Sequence, residues 1–204
     1  MRTSDIYKPL IRRATSTISI DEDLILRPAS SKYTKQIIEA FEETWPEVIR
    51  AMPWINPDKS ISDQIRDFIQ ETENRGRSGL LHHWVMIRPW DNYILGVVGF
   101  DRVTRSKQAY WNLGYWVRSS EQRHGIANKS INSALKWLGE VEKITIEIKV
   151  DPNNLPGRNT VFSTVQRWNG LRHVEGDSQI TVAGVRTNHE CYLITIGPDK
   201  NSGK

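Results

Sequence analysis

One stretch of the chain combines small, polar and basic residues in a spacing that suits anion binding. Residues Gln122–Ala127 read Gln-Arg-His-Gly-Ile-Ala, a Q-x-x-G-x-A pattern between an expected strand and an expected helix. Gly125 and Ala127 are small enough for a ligand to approach the first helical turn, where unpaired N–H groups and the positive end of the helix dipole favour a phosphate. Arg123 adds a charge and His124 a hydrogen-bond donor. By itself, the pattern is equally consistent with a helix start that carries a glycine by chance.

Two titratable residues, His189 and Glu190, are adjacent in an expected strand near the C-terminus. Because side chains alternate along a strand, one of the two would face a site at this end of the sheet and could accept a proton, although a solvated strand end explains the pair equally well. Cys191 lies inside an apolar strand, which favours a core thiol over a nucleophile. It is the single cysteine, which excludes a disulfide framework and a thiolate zinc site. No metal is expected, because metal-ligand spacing is absent at His82, His83 and His173.

The composition and the absence of several motifs exclude some classes of function. The 204 residues are 38% hydrophobic and include eight tryptophans, which is typical of one globular domain. Neither a Walker A loop nor the G-x-G-x-x-G dinucleotide pattern occurs. The net charge of +4 permits an anionic partner but is too small to indicate a nucleic acid, and basic and aromatic residues are not interleaved on one predicted face. No apolar run is long enough for a transmembrane helix or a signal peptide, so a cytoplasmic protein without membrane contact is expected.

The apolar periodicity predicts the order strand, two helices, three strands, helix, strand, helix and two strands. The predicted strands are 23–28, 81–88, 93–103, 109–118, 144–150, 171–181 and 188–196. The predicted helical stripes are 37–49, divided or kinked at Pro46, then 61–69, 131–138 and 161–168, with a loop at 151–158. Three consecutive strands indicate an antiparallel meander, whereas the strand–helix–strand unit around 110–150 indicates a parallel crossover. We therefore expect an α/β (α+β) fold with a mixed, mostly antiparallel sheet of about seven strands.

No linker or repeat divides the chain. The expected organisation is an N-terminal extension at 1–20 that ends in a short strand at 16–20, one domain at 21–197 and a C-terminal tail at 198–204.

The stretch LGYWVRSSEQRHGIANKSINSALKWL at 113–138 resembles the GNAT acetyltransferases. It is most similar to the branch of RimJ/RimL-type ribosomal-protein N-terminal acetyltransferases, which has I/L-G-Y-W, a polar turn, Q-x-x-G-x-G/A and an amphipathic helix ending in A-L. The tract from Asn159 to Val165, with the later Gly-Leu and Glu-Gly pairs, resembles the N-x-x-S-x-x-V…G-F…E-G tract of that branch. LILRP at 24–28 and MPW at 52–54 also stand in family positions, so the resemblance covers about 23–196.

The resemblance implies the GNAT fold, in which two splayed strands hold acetyl-CoA, here the strand ending near 116–118 and the strand 144–150. Backbone groups at the end of the first strand would pair with the pantetheine arm, the turn at 122–128 would cradle the pyrophosphate, and an asparagine would contact the pantetheine. The implied cofactor-binding residues are Trp116, Val117, Arg118, Gln122, Arg123, His124, Gly125, Ile126, Ala127, Asn128 and Asn159.

The chain departs from the family pattern at its catalytic positions. Asn112 stands where many members carry a glutamate base, and Phe162 stands where they carry a serine. Ser163 is displaced by one residue, about 100° around a helix, and is either a catalytic serine or an ordinary helix serine. Tyr192 lies near the position of a family tyrosine acid, which Ile194 occupies. The catalytic residues expected on this basis are Ser163, Glu190 and Tyr192.

The expected reaction is direct attack of a primary amine on acetyl-CoA in a ternary complex. An α-amine, with a pKa of ~7.7–8.0 against ~10.4 for lysine, suits an enzyme without a carboxylate base, so a protein N-terminus is the first expected acceptor. Two other acceptors are open, a small-molecule amine and an aminoacyl-tRNA. A further alternative is a catalytically weakened module that only binds acyl-CoA. The region 45–60 is where this family varies its acceptor pocket. A monomer and a homodimer are both compatible with the sequence.

Overall fold

The computed structural model describes residues 12–105, 108–182 and 184–198, and nine strands and four α-helices lie within these ranges. The strands are β1 (Ile18–Asp21), β2 (Leu24–Pro28), β3 (Leu81–Arg88), β4 (Tyr93–Arg105), β5 (Gln108–Val117), β6 (Ile144–Val150), β7 (Leu171–Arg172), β8 (Ser178–Val182) and β9 (Val185–Ile196). The helices are α1 (Thr34–Glu43), α2 (Ile61–Arg77), α3 (Ile126–Gly139) and α4 (Leu155–Arg167). Short 3₁₀ turns cover Ser31–Tyr33, Glu47–Arg50, Ser119–Glu121 and Val174–Gly176.

The strands are ordered β1-β2-β3-β4-β5-β6-β9-β7, and β8 pairs with β9 to form a hairpin. The one parallel pair among these strands is β5 with β6, which confirms the mixed and mostly antiparallel sheet. The sheet has nine strands rather than the expected seven or so. One of the two further strands is β1, which corresponds to the short strand expected at the end of the N-terminal extension, and the other arises because the 3₁₀ turn Val174–Gly176 divides the predicted strand 171–181 into β7 and β8.

The parallel pair is short. β5 and β6 are paired only from Trp111 with Ile146 to Leu113 with Ile148. Beyond this point β5 remains paired with β4 as far as Val117, and β6 remains paired with β9 as far as Val150. The facing edges of β5 and β6 are therefore free of each other at the ends of both strands, and the expected splay between the two strands is confirmed.

Helices cover both faces of the sheet. On one face, α3 and α4 pack on a core that includes Trp84, Phe100 and Ile148. On the other face, α1 and α2 pack on a core that includes Val85 and Val97. The alternation of side chains along β3 and β4 sends neighbouring residues such as Trp84 and Val85 to opposite cores, which explains why nearly all of β3 is buried.

Two predicted boundaries differ from the structure. α1 ends at Glu43, and the predicted continuation to 49 is a turn and a 3₁₀ segment around Pro46, which lacks the N–H that a helix interior needs. α4 begins at Leu155, inside the predicted loop 151–158. The Asn154 side chain caps α4 by accepting a hydrogen bond from the Gly157 N–H at 3.2 Å. Pro156 is tolerated in the first helical turn, where its missing N–H costs no hydrogen bond.

The described part of the N-terminal segment lies against the domain. The Arg13 guanidinium donates to the Trp137 carbonyl at 3.2 Å and to Glu140 at 2.8 Å. The Ser16 carbonyl accepts a hydrogen bond from the Trp84 indole at 2.8 Å. The predicted boundary at residue 20 falls inside β1. The remainder of the predicted extension, 1–11, and residues 199–204 of the predicted tail lie outside the described residues.

Candidate active site

Two adjoining cavities lie where β5 and β6 separate. The larger, of about 620 Å³, faces the turn before α3 and is called the turn cavity; the smaller, of about 260 Å³, faces the β8–β9 hairpin and is called the hairpin cavity. Both cavities are lined by Arg50, Ala51, Tyr115, Asn154 and Gly157. A molecule lying in the turn cavity can therefore reach a second molecule in the hairpin cavity.

The N-terminus of α3 faces the turn cavity. The N–H of Lys129 makes the first helical hydrogen bond, to the Gly125 carbonyl at 3.0 Å, so the N–H groups of Ile126, Ala127 and Asn128 precede the helical ladder. No side chain caps this helix, although all three residues line the cavity. Three donors and the positive end of the helix dipole are thus available to an anion.

Gly125 adopts a left-handed conformation with φ of 76°. A Cβ atom at this position would meet no other atom within 4 Å. The backbone conformation, and not crowding by the protein, therefore favours glycine here, and the space beside the backbone is open to a ligand.

The other residues of the turn have distinct roles. The Gln122 amide donates to the Val117 carbonyl at 3.1 Å and so ties the turn to the end of β5. The exposed Arg123 lines the turn cavity, whereas the exposed His124 lies outside its lining. Asn159, on α4, lines the opposite side of the cavity.

At the open edge of β5, the backbone groups that point towards the splay are those of Val117 and not those of Arg118. The Arg118 N–H donates to the Leu95 carbonyl at 2.8 Å, so it points towards β4. Because N–H and C=O groups alternate in direction along a strand, those of Val117 point towards the splay. The buried Arg118 side chain is also engaged, with its Nε 3.4 Å from Glu43 and its guanidinium 4.2 Å above the Tyr93 ring. Trp116 lines the turn cavity and belongs to the core beneath α1 and α2.

The sheet contributes several polar side chains to the hairpin cavity. Asn112 and Gly114 of β5, Lys149 of β6 and His189 of β9 line it, and Ile180 of β8 closes it from the hairpin. The Lys149 ammonium donates to the Ser178 hydroxyl at 2.7 Å, which holds β8 over the end of β6.

Tyr115 and Asp151 also line the hairpin cavity. The Tyr115 hydroxyl donates to the Gly157 carbonyl at 3.2 Å, and burial raises the pKa of its phenol to about 12. Asp151 accepts a hydrogen bond from the Asn153 N–H at 2.8 Å and so shapes the loop before α4. Both side chains therefore have structural partners within the protein.

Alternation along β9 sends His189 to the hairpin cavity and Glu190 to the opposite side. Glu190 accepts a hydrogen bond from the Tyr192 hydroxyl at 2.9 Å and lies 3.5 Å from the Arg158 guanidinium. Burial, and then the neighbouring Glu190, raise the pKa of Tyr192. Ser163 is exposed on α4. None of the three residues predicted to be catalytic, Ser163, Glu190 and Tyr192, lines either cavity.

Cys191, on β9, is fully buried. Burial, and then the charge of Glu147, raise the pKa of its thiol to about 11, so the thiolate is disfavoured. In the described part of the chain, no three histidine, cysteine, aspartate or glutamate side chains are grouped so that they could hold a metal ion. None of the helices in the described ranges is both long and apolar enough to cross a membrane.

Sequence reasoning missed Tyr115, Lys149 and Asn154 as cavity residues. A signal for Asn154 is present in the sequence, because an asparagine followed two residues later by proline is a typical helix start. Lys149 gave no signal, since a lysine in an alternating strand is most simply a solvated residue.

Three solved structures share the fold. RimL, the ribosomal L7/L12 alpha-N-protein acetyltransferase, in complex with coenzyme A, has a TM-score of 0.73 at 17% identity over 89% of this chain and 98% of its own. The ribosomal-protein-S5-alanine acetyltransferase from Vibrio fischeri has a TM-score of 0.68 at 15% identity over 92% and 98%. The microcin C7 self immunity acetyltransferase MccE, in complex with acetyl-CoA and AMP, has a TM-score of 0.70 at 22% identity over 88% and 96%.

Comparison with curated protein sequences gave no match. The family model of the acetyltransferase (GNAT) domain matches residues 23–161, which include β2 to β6, the turn before α3 and the first half of α4. The match contains most of the lining of both cavities. With the splayed strands and the uncapped helix in place, this chain belongs to the GNAT acetyltransferase family.

Proposed function

We propose that this protein transfers an acetyl group from acetyl-CoA to the α-amino group at the N-terminus of a peptide or protein. The observation that carries the proposal is the junction of the two cavities at the splay of β5 and β6. The turn cavity presents groups that suit a phosphate, whereas the hairpin cavity is small and has both apolar and polar lining residues. The acetyl group of a molecule in the turn cavity and the amine of a molecule in the hairpin cavity would meet at this junction.

The residues of the turn cavity fit acetyl-CoA. The three free N–H groups at the start of α3 and the charge of Arg123 suit its pyrophosphate. The N–H of Val117, which points towards the splay, suits an extended chain that carries amides, as pantetheine does, whereas the Val117 carbonyl already accepts the Gln122 amide. Asn159 offers an amide side chain from the opposite wall. When bound, acetyl-CoA supplies an acetyl group activated as a thioester.

The chemistry of the hairpin cavity favours an α-amine. Asn112 cannot take a proton, so the cavity lacks a carboxylate at the position where the family often has one. An α-amine, with a pKa of ~7.7–8.0, is partly neutral at pH 7, whereas a lysine amine at ~10.4 is almost fully protonated. A cavity of 260 Å³ also has room for about one terminal residue, but the rest of a protein must remain outside.

The solved relatives are compatible with this acceptor class. RimL and the Vibrio fischeri enzyme are acetyltransferases named for ribosomal proteins, L7/L12 and S5. MccE, by contrast, was crystallised with AMP, so a small acceptor belongs in any test.

The test is calorimetric titration with acetyl-CoA, followed by measurement of thiol release with a panel of acceptors. The panel contains peptides with free N-termini, the same peptides with blocked N-termini and one internal lysine, and small amines that include an aminoacyl nucleotide. We expect binding and turnover only with free N-termini. Turnover with the blocked lysine peptides or only with small amines would overturn the acceptor assignment, and absence of acetyl-CoA binding would overturn the function.

A further inference from the structure

His189 is the imidazole that faces the hairpin cavity, and nothing in the reaction described so far uses it. Its side chain lies near the middle of β9, opposite its register partner Ser178 on β8, and only 6% of the residue is exposed. It lines the cavity together with Asn112 and Gly114, at the start of the splay. A titratable ring is therefore held where the acceptor amine would enter.

The hydrogen bond of His189 fixes which ring nitrogen carries the proton. Its Nδ1 lies 3.0 Å from the carbonyl oxygen of Thr187. A carbonyl oxygen can only accept, so Nδ1 must be the donor, and in the neutral ring Nε2 keeps its lone pair. Thr187 is on the same strand, two residues away, so the contact also fixes the orientation of the ring.

The other charged and titratable groups that line the cavity do not suit the same role. Arg50 and Lys149 are cations, and Asp151 accepts the Asn153 N–H. Burial raises the pKa of the Tyr115 phenol to about 12, and its hydroxyl donates to a carbonyl. Glu190 faces away and accepts from Tyr192.

We propose that Nε2 of His189 is the general base that removes a proton from the ammonium group of the acceptor. This inference rests on the proposed function. His189 takes one proton from R–NH₃⁺ and becomes an imidazolium, and the lone pair freed on nitrogen forms the C–N bond to the acetyl carbonyl carbon. The C–S bond breaks and its electrons leave with the sulfur. The second proton of the nitrogen passes to that thiolate, so the products are an amide and the CoA thiol, and His189 returns its own proton to water. No group is oxidised or reduced.

His189→Gln tests the role, because an amide side chain can keep a hydrogen bond to the Thr187 carbonyl but cannot act as a base. We expect its kcat to fall by about 100-fold or more, with little change in acceptor KM or in acetyl-CoA affinity. We also expect the pH dependence of kcat/KM in the variant to differ from that of the wild type and to follow the ionisation of the amine alone. His173→Gln is the matched control, since His173 is half-buried beside Glu175 and lines neither cavity.

A kcat within threefold of the wild type, with an unchanged pH profile, would overturn the assignment. A second measurement does not need an acceptor or a variant. In wild-type protein labelled with ¹⁵N-histidine, the neutral form of the His189 ring should show a protonated Nδ1 and an unprotonated Nε2. The opposite tautomer would overturn the proposal. Failure of the wild type to bind acetyl-CoA would instead overturn the proposed function.

Discussion

Asn112 and Glu147 are register partners across the short parallel pair of β5 and β6, and Asp101 is the partner of Asn112 on β4. Paired residues of neighbouring strands project to the same face of a sheet. Asn112 therefore lies between two carboxyl side chains, one of them 2% exposed as a residue (Glu147) and the other about half exposed (Asp101). A carboxylate at 112 would place three acids side by side, which gives a physical reason for the neutral amide here.

Asn112→Glu should lower the free energy of unfolding at pH 7 by about 1–2 kcal/mol, because Glu147 and Asp101 would repel the introduced carboxylate. The repulsion raises the folded-state pKa of the introduced carboxyl above its unfolded value. The penalty is therefore present at neutral pH and disappears as the pH falls below about 4, where the carboxyl is protonated in both states. Urea unfolding at pH 7 and at pH 4 measures the effect. Asn112→Gln is the neutral control, and equal stability of the two variants at pH 7 would contradict the explanation.

Gly125→Glu should abolish measurable binding of acetyl-CoA, because it places bulk and negative charge beside the free N–H groups of α3. The control is Gly184→Glu. Gly184 has a φ of 79°, and a Cβ there also meets nothing within 4 Å, so the backbone strain and open space match those of Gly125. The two variants should lose similar stability, about 1–2 kcal/mol, and differ in calorimetric titration with acetyl-CoA. Equal affinities of the two variants for acetyl-CoA would show that the turn before α3 is not part of the binding site.

The strands with the strongest patterns were predictable from the sequence. Leu81–Arg88 and Ile144–Val150 were predicted with the bounds that the structure has, because their alternation or continuous apolar character extends over whole strands. The start of α4 was missed because prolines and asparagines at 151–156 are typical of loops as well as of a helix start, and the capping hydrogen bond of Asn154 in the structure decides between the two.

The site was predictable only in part. Of the residues predicted to bind the cofactor, nine line the turn cavity, because one contiguous motif and one helix position carry them: Trp116, Val117, Gln122, Arg123, Gly125, Ile126, Ala127, Asn128 and Asn159. Which of the side chains of His189 and Glu190 faces the hairpin cavity depends on the register of β9 with β8. A shift of one residue would turn Glu190 towards the cavity and His189 away from it. A single sequence contains the alternation but not this register.

The N-terminal segment should contribute to the stability of the domain through Arg13. Its guanidinium lies 3.8 Å from the centre of the Trp137 ring and donates to Glu140 at 2.8 Å. Arg13→Ala should lower the free energy of unfolding by about 1 kcal/mol, since it removes a half-buried cation–π contact and a charged hydrogen bond. Thermal unfolding compares this variant with Arg12→Ala, whose side chain is exposed. Equal losses for the two arginines would mean that the contact is without energetic value.

His82 should make the protein sensitive to acid. Burial lowers the pKa of its imidazole from 6.5 to about 4, with smaller contributions from the charges of His83 and Arg13. Its Nδ1 lies 2.9 Å from the Thr15 hydroxyl, and its ring stacks on Trp111 at 5.2 Å, so the neutral ring fits its surroundings and an imidazolium does not. Because the folded-state pKa is depressed for a base, the unfolded state takes up the proton first as the pH falls.

The contribution of His82 is therefore fully present above about pH 6.5 and is lost as the pH falls from there to about 4. Over this interval its loss amounts to about 3 kcal/mol, as an upper estimate from 1.36 kcal/mol per pKa unit. His82→Phe keeps an aromatic ring among the tryptophans but cannot titrate. Its own stability at pH 7 should be lower, because the hydrogen bond to Thr15 is gone. Urea unfolding of both proteins at several pH values should show a flatter dependence for the variant between pH 6.5 and 4, and parallel curves would mean that His82 is not the acid-sensitive group.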